Sequence, residues 1–272
     1  MAETVLITGC SSGIGRATAL AAHAAGHTVV ATARRAETLD DMPAGIHRVA
    51  LDVCDAASVT NAVDHAITLT GGITALVNNA GFGQSGPIEM LTEEQITHQF
   101  ETNVYGPLRL IRAVLPAMRE RGHGRIVNVS SAAGKFSTPF LGIYCASKFA
   151  LEAISDALRV EVAPFGIRVV VVEPGPIATN FGDVALHSVG EAVLGDQSNP
   201  YYARANKVTE MEEALAPLTK QPEDVAKVII RGIEAKRPKT RYTITLPAKL
   251  ATFTQVVPDK LLDAAQGRLL GP

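Results

Sequence analysis

Short apolar, β-branched runs alternate with alanine-rich stretches along this chain: TVLIT at 4–8, TVVAT at 28–32, HRVAL at 47–51, ITALVN at 73–78, RIVNV at 125–129 and IRVVVV at 167–172. Each run predicts a strand. Several are apolar at consecutive rather than alternate positions, the pattern of parallel strands covered by helices on both faces. The alternation itself predicts βαβ units, and hence a doubly wound α/β fold around a parallel sheet.

Between the runs the helix signals have recognisable ends. One helix is predicted over 106–121, with Pro107 in its first turn and Gly122 after the basic RERG turn; Pro116 inside it predicts a kink or a break. Another is predicted over 144–163, stopped by Pro164 and Gly166. No repeat or low-complexity tract divides the chain, so residues 1–272 read as a single catalytic domain. Within it, 181–219 scatters Gly, Ser, Asn and Pro among helical pieces and reads as a mobile substrate-covering insertion. A helix at 222–235, a strand RYTITL at 241–246 and a tail over 247–272 broken by Pro247 and Pro258 follow.

Composition narrows the partners. With 47% hydrophobic and 19% charged residues among 272, the chain can bury a sizeable core and is not of the disordered class. A formal charge of -2 leaves no strong field for nucleic acid. Cys10, Cys54 and Cys145 are odd in number, far apart and without a CxxC spacing, so neither a disulfide framework nor a metal site is expected. The start, MAETVLITG, lacks a basic leader, and no apolar run reaches the roughly 18 residues of a spanning helix. The expectation is a cytoplasmic protein without a transmembrane segment, a membrane contact of the tail being left open.

The glycine pattern TGCSSGIG at 8–15 follows the first predicted strand and opens an alanine-rich helix. In that context Gly9 permits a sharp turn, Gly13 lets backbone approach a pyrophosphate, and Gly15 permits close helix packing, while the helix N-terminus binds phosphate. The alternative is an ordinary glycine-rich turn with no ligand. The spacing is not GxGxxG, and no Lys-Ser/Thr pair follows, which disfavours a nucleoside triphosphatase. After the second strand stand Ala33, Arg34 and Arg35 in place of a ribose-binding carboxylate. An arginine there fits a 2'-phosphate, so Arg34 points to NADP(H) in preference to NAD(H), whereas Arg35 also reads as a solvated basic turn.

Several ordered motifs resemble the classical short-chain dehydrogenase/reductase family over about residues 4–180: the glycine loop, LDV at 51–53, NNAG at 78–81, YCASK at 144–148 and PGPIAT at 174–179. The resemblance implies a Rossmann fold, and a cofactor held by Gly9, Ser11, Ser12, Gly13, Ile14, Gly15, Arg34, Asp52, Val53, Asn79, Ala80, Gly81, Tyr144, Lys148, Pro174, Gly175, Ile177 and Thr179. It implies a catalytic set of Asn103 (in ETNVYG), Ser131, Tyr144 and Lys148. The family's serine lies thirteen positions before its tyrosine, which selects Ser131 over Ser130. For Asp52 an adenine contact and a cap on the helix at DAAS both stay open.

Residues four apart share a helix face, so Lys148 sits near the Tyr144 phenol and favours the phenolate. Bringing a phenol from about 10 to about 7 takes roughly 4 kcal/mol. An exposed pair supplies about 1 kcal/mol, so a desolvated site and the charge of oxidised nicotinamide are also needed. In the implied chemistry Tyr144 is the general acid or base, Ser131 holds the substrate oxygen, Lys148 binds the nicotinamide ribose and Asn103 holds a water. The stretches NNAGFGQSGPIE, NVYGPLRL and YCASKFALEAISDALRVE look most like the 17β-hydroxysteroid and retinol dehydrogenase branch, implying a hydrophobic alcohol or carbonyl substrate. Tyr201, Tyr202 and Met211 either line its pocket or pack the covering segment. The equivalent helices pair subunits in that family, implying a homodimer or homotetramer. The competing readings are a non-catalytic NADP(H) sensor, disfavoured by the intact hydroxyl pair and lysine, and a nucleotide-sugar epimerase or dehydratase, disfavoured by the short C-terminal part and by Arg34.

Overall fold

The computed structural model describes residues 2–179 and 193–270. Seven parallel strands form one sheet in the order β3-β2-β1-β4-β5-β6-β7. They are β1 (Thr4–Ile7), β2 (Thr28–Ala33), β3 (Ile46–Ala50), β4 (Ala75–Asn78), β5 (Gly124–Val129), β6 (Ile167–Glu173) and β7 (Arg241–Thr243). Strand order reverses between β1 and β4, so the carboxyl ends of these neighbours open the crevice where doubly wound sheets bind ligands. It is a Rossmann-type, single-domain α/β fold.

The consecutive apolar runs have the physical cause their pattern implies. Successive side chains point to opposite faces, so Val5, Ile7, Val127, Val129, Val170 and Val172 join one buried cluster. Leu6, Ile126, Ile167 and Val169 join another. The first cluster is closed by helix α1 (Gly13–Ala24) and by the helix Pro222–Glu234 through Ala19, Ala22, Val225, Ile229 and Ile233. The second is closed by α2 (Ala56–Thr70), α4 (Gly106–Arg121) and α5 (Gly142–Val162), whose contributions include Val59, Leu110, Val114, Met118 and Leu158. Each fully buried Leu or Ile contributes about 1.5–3 kcal/mol. Arg125 on β5 donates to the carbonyls of Ile233 (3.1 Å) and Ala235 (2.7 Å), satisfying the end of the helix Pro222–Glu234.

Three local readings are corrected by the coordinates. Pro116 does not end α4, which is helical from Gly106 to Arg121; the proline is exposed on the outer face while Val114 and Met118 anchor the inner face. β7 stops at Thr243 because Thr245 caps a new helix, Leu246–Ala251, by accepting from the Ala248 amide. Pro247 does not break the tail, lying in the first turn of that helix, whereas the break expected at Pro258 is present: the helical run ends at Val256 and a new helix, Asp259–Leu270, begins after the proline. Of the expected covering insertion, 181–192 lie outside the described residues; the rest holds the helix Tyr202–Leu215 and no strand among the described residues.

Candidate active site

The loop between β1 and α1 is built for close approach. Gly9 has a φ of +71°, in the left-handed region that favours glycine. A methyl on Gly15 would run into the Gly9 carbonyl and the Asn79 amide, so only glycine lets α1 tuck beneath its own loop. Ser12 caps α1 without a side-chain hydrogen bond, and no acidic residue stands in the first turn. The exposed Ser11 and Ser12 therefore sit beside helix amides suited to an anion, and this cradle fits a dinucleotide's phosphates. Ile14 packs inward on the first core cluster and gives the loop its anchor.

The turn after β4 is fastened to that loop. Thr8 Oγ1 accepts from the backbone amides of Asn79 and Ala80, each at 2.9 Å, and Asn79 Nδ2 donates to the carbonyls of Thr8 (2.9 Å) and Gly9 (3.3 Å). Asn79 thus braces the cradle with its side chain. Arg34 lies exposed just past β2, and no ion pair among the described residues takes it up. By contrast Arg16 is bound to both carboxylate oxygens of Asp41, at 2.9 and 2.7 Å. Asp52 does not cap α2; Asp55 does, accepting from the Ala57 amide, while Asp52 folds back on the Cys54 amide at 2.9 Å. Val53 is buried under Gly106, where it packs in the second core cluster.

Across the crevice, α5 carries Tyr144 and Lys148 on one face, 7% and 6% exposed. Tyr144 shares a side-chain hydrogen bond with Ser131, at the turn after β5. Lys148 Nζ donates to the Val129 carbonyl at 3.0 Å and lies 5.8 Å from the centre of the Tyr144 ring. Ser130, the neighbouring hydroxyl, is turned into the protein and finds no hydrogen-bond partner. Asn103 lies in a π-helical turn, Glu101–Tyr105, joining α3 (Glu93–Phe100) to α4. Such turns recur at functional sites because they displace one residue from the helical register. Its amide donates to the Phe82 carbonyl (2.9 Å) and to Ser147 Oγ (3.2 Å), so it ties the β4 loop to α5. A methyl placed on Gly81 would lie 3.1 Å from Asn103 Oδ1 and 3.7 Å from Lys148 Nζ, which puts both around one point.

The segment after β6 closes the crevice. The Pro174 carbonyl accepts from the Ala132 amide at 2.8 Å, Gly175 lies under Thr245, Ile177 bridges Lys220, and Thr179 stands against Gly13. The glycine loop, the turn after β4, Asn103, Ser131, Tyr144, Lys148 and the segment after β6 therefore gather at the carboxyl edge of the sheet, whereas Arg34, Asp52 and Val53 follow the ends of β2 and β3. Sequence reasoning missed Phe140, whose φ of +66° turns its ring onto Tyr201 (6.2 Å, edge-on) next to Val193 and Ala205. Tyr201 also donates to Glu89 at 2.7 Å, which fastens the covering segment.

Burial dominates the electrostatics of both groups. Burial drives the Tyr144 phenol upward, opposed by the Ser131 hydrogen bond; Lys148 has no resolved influence on it. Burial pushes Lys148 from 10.5 down to about 8, with Glu152 opposing. Below about pH 8 Lys148 is charged in folded and unfolded chains alike and its burial destabilises; above 10.5 it is neutral in both and does not.

Comparisons agree with this geometry. The family profile described as short chain dehydrogenase matches residues 3–187. A 3-ketodihydrosphingosine reductase of Bacteroides thetaiotaomicron is 35% identical, covering 97% of this chain and 96% of the relative. The human 17-beta-hydroxysteroid dehydrogenase type 1 is 35% identical over 90% of this chain and 78% of its own length. A crystal structure of a short-chain dehydrogenase from Streptomyces avermitilis superposes with a TM-score of 0.82 at 36% identity, covering 97% of this chain and 96% of that one.

The titration of Lys148 predicts that Lys148→Met stabilises the folded chain at pH 7 by about 1–3 kcal/mol, a gain that fades as the pH approaches 10. Urea unfolding at the two pH values measures it, and equal effects at both would contradict the assignment.

Proposed function

Because the chain belongs to the short-chain dehydrogenase family and is an oxidoreductase acting on CH–OH groups with a nicotinamide cofactor, we propose that it is NADP(H)-dependent and interconverts an alcohol with its ketone or aldehyde. The observation that carries this reading is the Ser131–Tyr144 hydrogen bond beside buried Lys148, facing the phosphate cradle across one crevice. The cofactor supplies or accepts the hydride when bound.

In the reading, Tyr144 donates its phenolic proton to a carbonyl oxygen during reduction and takes it back during oxidation. A phenol raised by burial is a neutral acid at pH 7, the form reduction requires. Ser131 donates to the substrate oxygen as charge develops there. Lys148 binds the nicotinamide ribose hydroxyls, and Asn103, bracing α5 against the β4 loop, keeps a water beside it that resupplies the proton. Arg34 receives the 2'-phosphate, Asp52 and Val53 flank the adenine, and Gly81, Pro174, Gly175, Ile177 and Thr179 border the nicotinamide. Its exposed guanidinium, unclaimed by any ion pair among the described residues, supports the part given to Arg34.

A hydrophobic carbonyl fits relatives whose names refer to ketosphingoid and steroid substrates. Homo-oligomerisation is supported by apolar side chains on the outer side of α5 and the turn after it: Phe149, Phe165 and Val160, the last 72% exposed. A cytoplasmic site of action is part of the same reading; among the described residues no helix is long and apolar enough to cross a membrane.

A panel of hydrophobic ketones and aldehydes assayed by NADPH absorbance is expected to give turnover that Tyr144→Phe lowers at least about a hundredfold and Lys148→Ala also lowers. Equal rates with and without the phenol would overturn the mechanism, and NADPH binding without turnover of any compound would favour the sensor reading.

Arg34→Ala is expected to raise the Kd for NADPH by about ten- to a hundredfold, as loss of a charge-assisted contact should, while NADH changes about twofold or less. Parallel losses for the two dinucleotides would remove the 2'-phosphate assignment.

A further inference from the structure

Tyr144, Lys148, Glu152 and Asp156 follow one another at four-residue spacing along α5, forming a stripe from the phenol to the outer part of the helix. Glu152 is 5% exposed. Its Oε2 accepts from Lys135 Nζ at 2.7 Å and from Arg241 Nε at 3.1 Å, whereas its Oε1 is buried without a hydrogen-bond partner. The same two cations each lie 3.3 Å from Glu173 Oε1, and Thr243 donates to Glu173 Oε2 at 2.6 Å. Farther out, Asp156 pairs with Arg241 (2.6 Å) and Arg159 (2.8 Å). The charged groups around Glu152 are thus Lys148 and Asp156 on its own helix, Lys135 from the turn after β5, Glu173 from β6 and Arg241 from β7.

Burying so many ions costs several kcal/mol for each, and a hydrophobic packing of equal volume is often as stable, so stability alone is a weak reason for the cluster. Its position is more informative. A methyl on Gly134 would lie 2.9 Å from Ser130 Oγ and 3.0 Å from Glu152 Cγ, so the turn carrying Ser131 and Lys135 lies flat against the stripe. One turn therefore delivers Ser131 to Tyr144 and Lys135 to Glu152.

We propose that Glu152 is a positioning residue for the reaction: its buried carboxylate, one helical turn behind Lys148 and anchored by Lys135 and Arg241, keeps that side chain an ammonium. The proposal rests on the reading of Lys148 as a participant in turnover. Burial favours the neutral amine of Lys148, and the carboxylate of Glu152 is the influence that opposes it. Removing that charge lets the amine deproton at lower pH. The alkaline side of the rate profile then moves toward neutrality.

The test titrates the 13Cε resonance of Lys148 in the full chain, assigned by its loss in Lys148→Met, alongside the pH profile of kcat with NADPH and a carbonyl substrate. Glu152→Gln is expected to lower the Lys148 midpoint by at least about one unit, a tenfold change in the ammonium-to-amine ratio. The alkaline limb of kcat should move with it and KM should change little. Glu173→Gln breaks the same cluster from another strand and is expected to give less than half that shift. Glu152→Asp, which keeps the charge but withdraws it, is expected to fall between wild type and Gln, and gives the readout should the Gln variant not fold. An unchanged midpoint in Glu152→Gln, or an equal shift in Glu173→Gln, would overturn the proposal. A shifted midpoint with an unmoved rate profile would overturn instead the reading of Lys148 on which it rests.

Discussion

A lysine and a tyrosine buried side by side at the end of a parallel sheet constrain most of what surrounds them. Burial weakens the ammonium of Lys148, which costs stability at neutral pH, and leaves the Tyr144 phenol harder to ionise. The fold supplies specific compensations. The Val129 carbonyl, at the end of β5, receives Lys148, and the Ser131 hydroxyl, two residues later, meets Tyr144. Two polar groups that the core would otherwise reject are thereby fixed to the crevice edge of a rigid strand.

The reversal of strand order explains why the rest of the site can converge there. β1 and β4 diverge in their connections, so the loops that follow them face one another, and Thr8 and Asn79 lock those loops together. The same edge receives β5 with Ser131 and β6 with the Pro174 segment, joined through Ala132. Residues from four strand ends, the π-helical turn and α5 thus gather at one edge of the sheet. The covering segment attaches separately, through Phe140 and the Tyr201–Glu89 hydrogen bond.

The fold was legible because parallel strands covered on both faces leave consecutive apolar residues, as in IRVVVV, and because glycine and proline mark the turns. The candidate site was legible to the extent that its spacing is local: Tyr144 and Lys148 share a helix face by arithmetic alone. What stayed hidden depends on contacts far apart in sequence. Glu152, Glu173, Lys135 and Arg241 meet only after β6 and β7 pair, although the four-residue spacing from Lys148 to Glu152 was a signal that could have been followed. The direction in which burial moves the phenol was equally out of reach, since it depends on enclosure rather than on neighbours along the helix. Asp52 and Asp55 show the same limit: two carboxylates three residues apart are equivalent in sequence, and only the start of α2 decides which one caps it.

The central claim is that the Tyr144 phenol is held protonated by burial in the protein alone and becomes acidic enough for proton transfer only when the adjoining dinucleotide is in place. The 13Cζ resonance of Tyr144, assigned with Tyr144→Phe and titrated with and without NADP+, tests it most directly. The account predicts no ionisation up to the ordinary phenol value of 10.0 in the protein alone, and a midpoint at least about two units below the unliganded one when NADP+ is bound. A phenol that titrates at its ordinary value, indifferent to the dinucleotide, would contradict it.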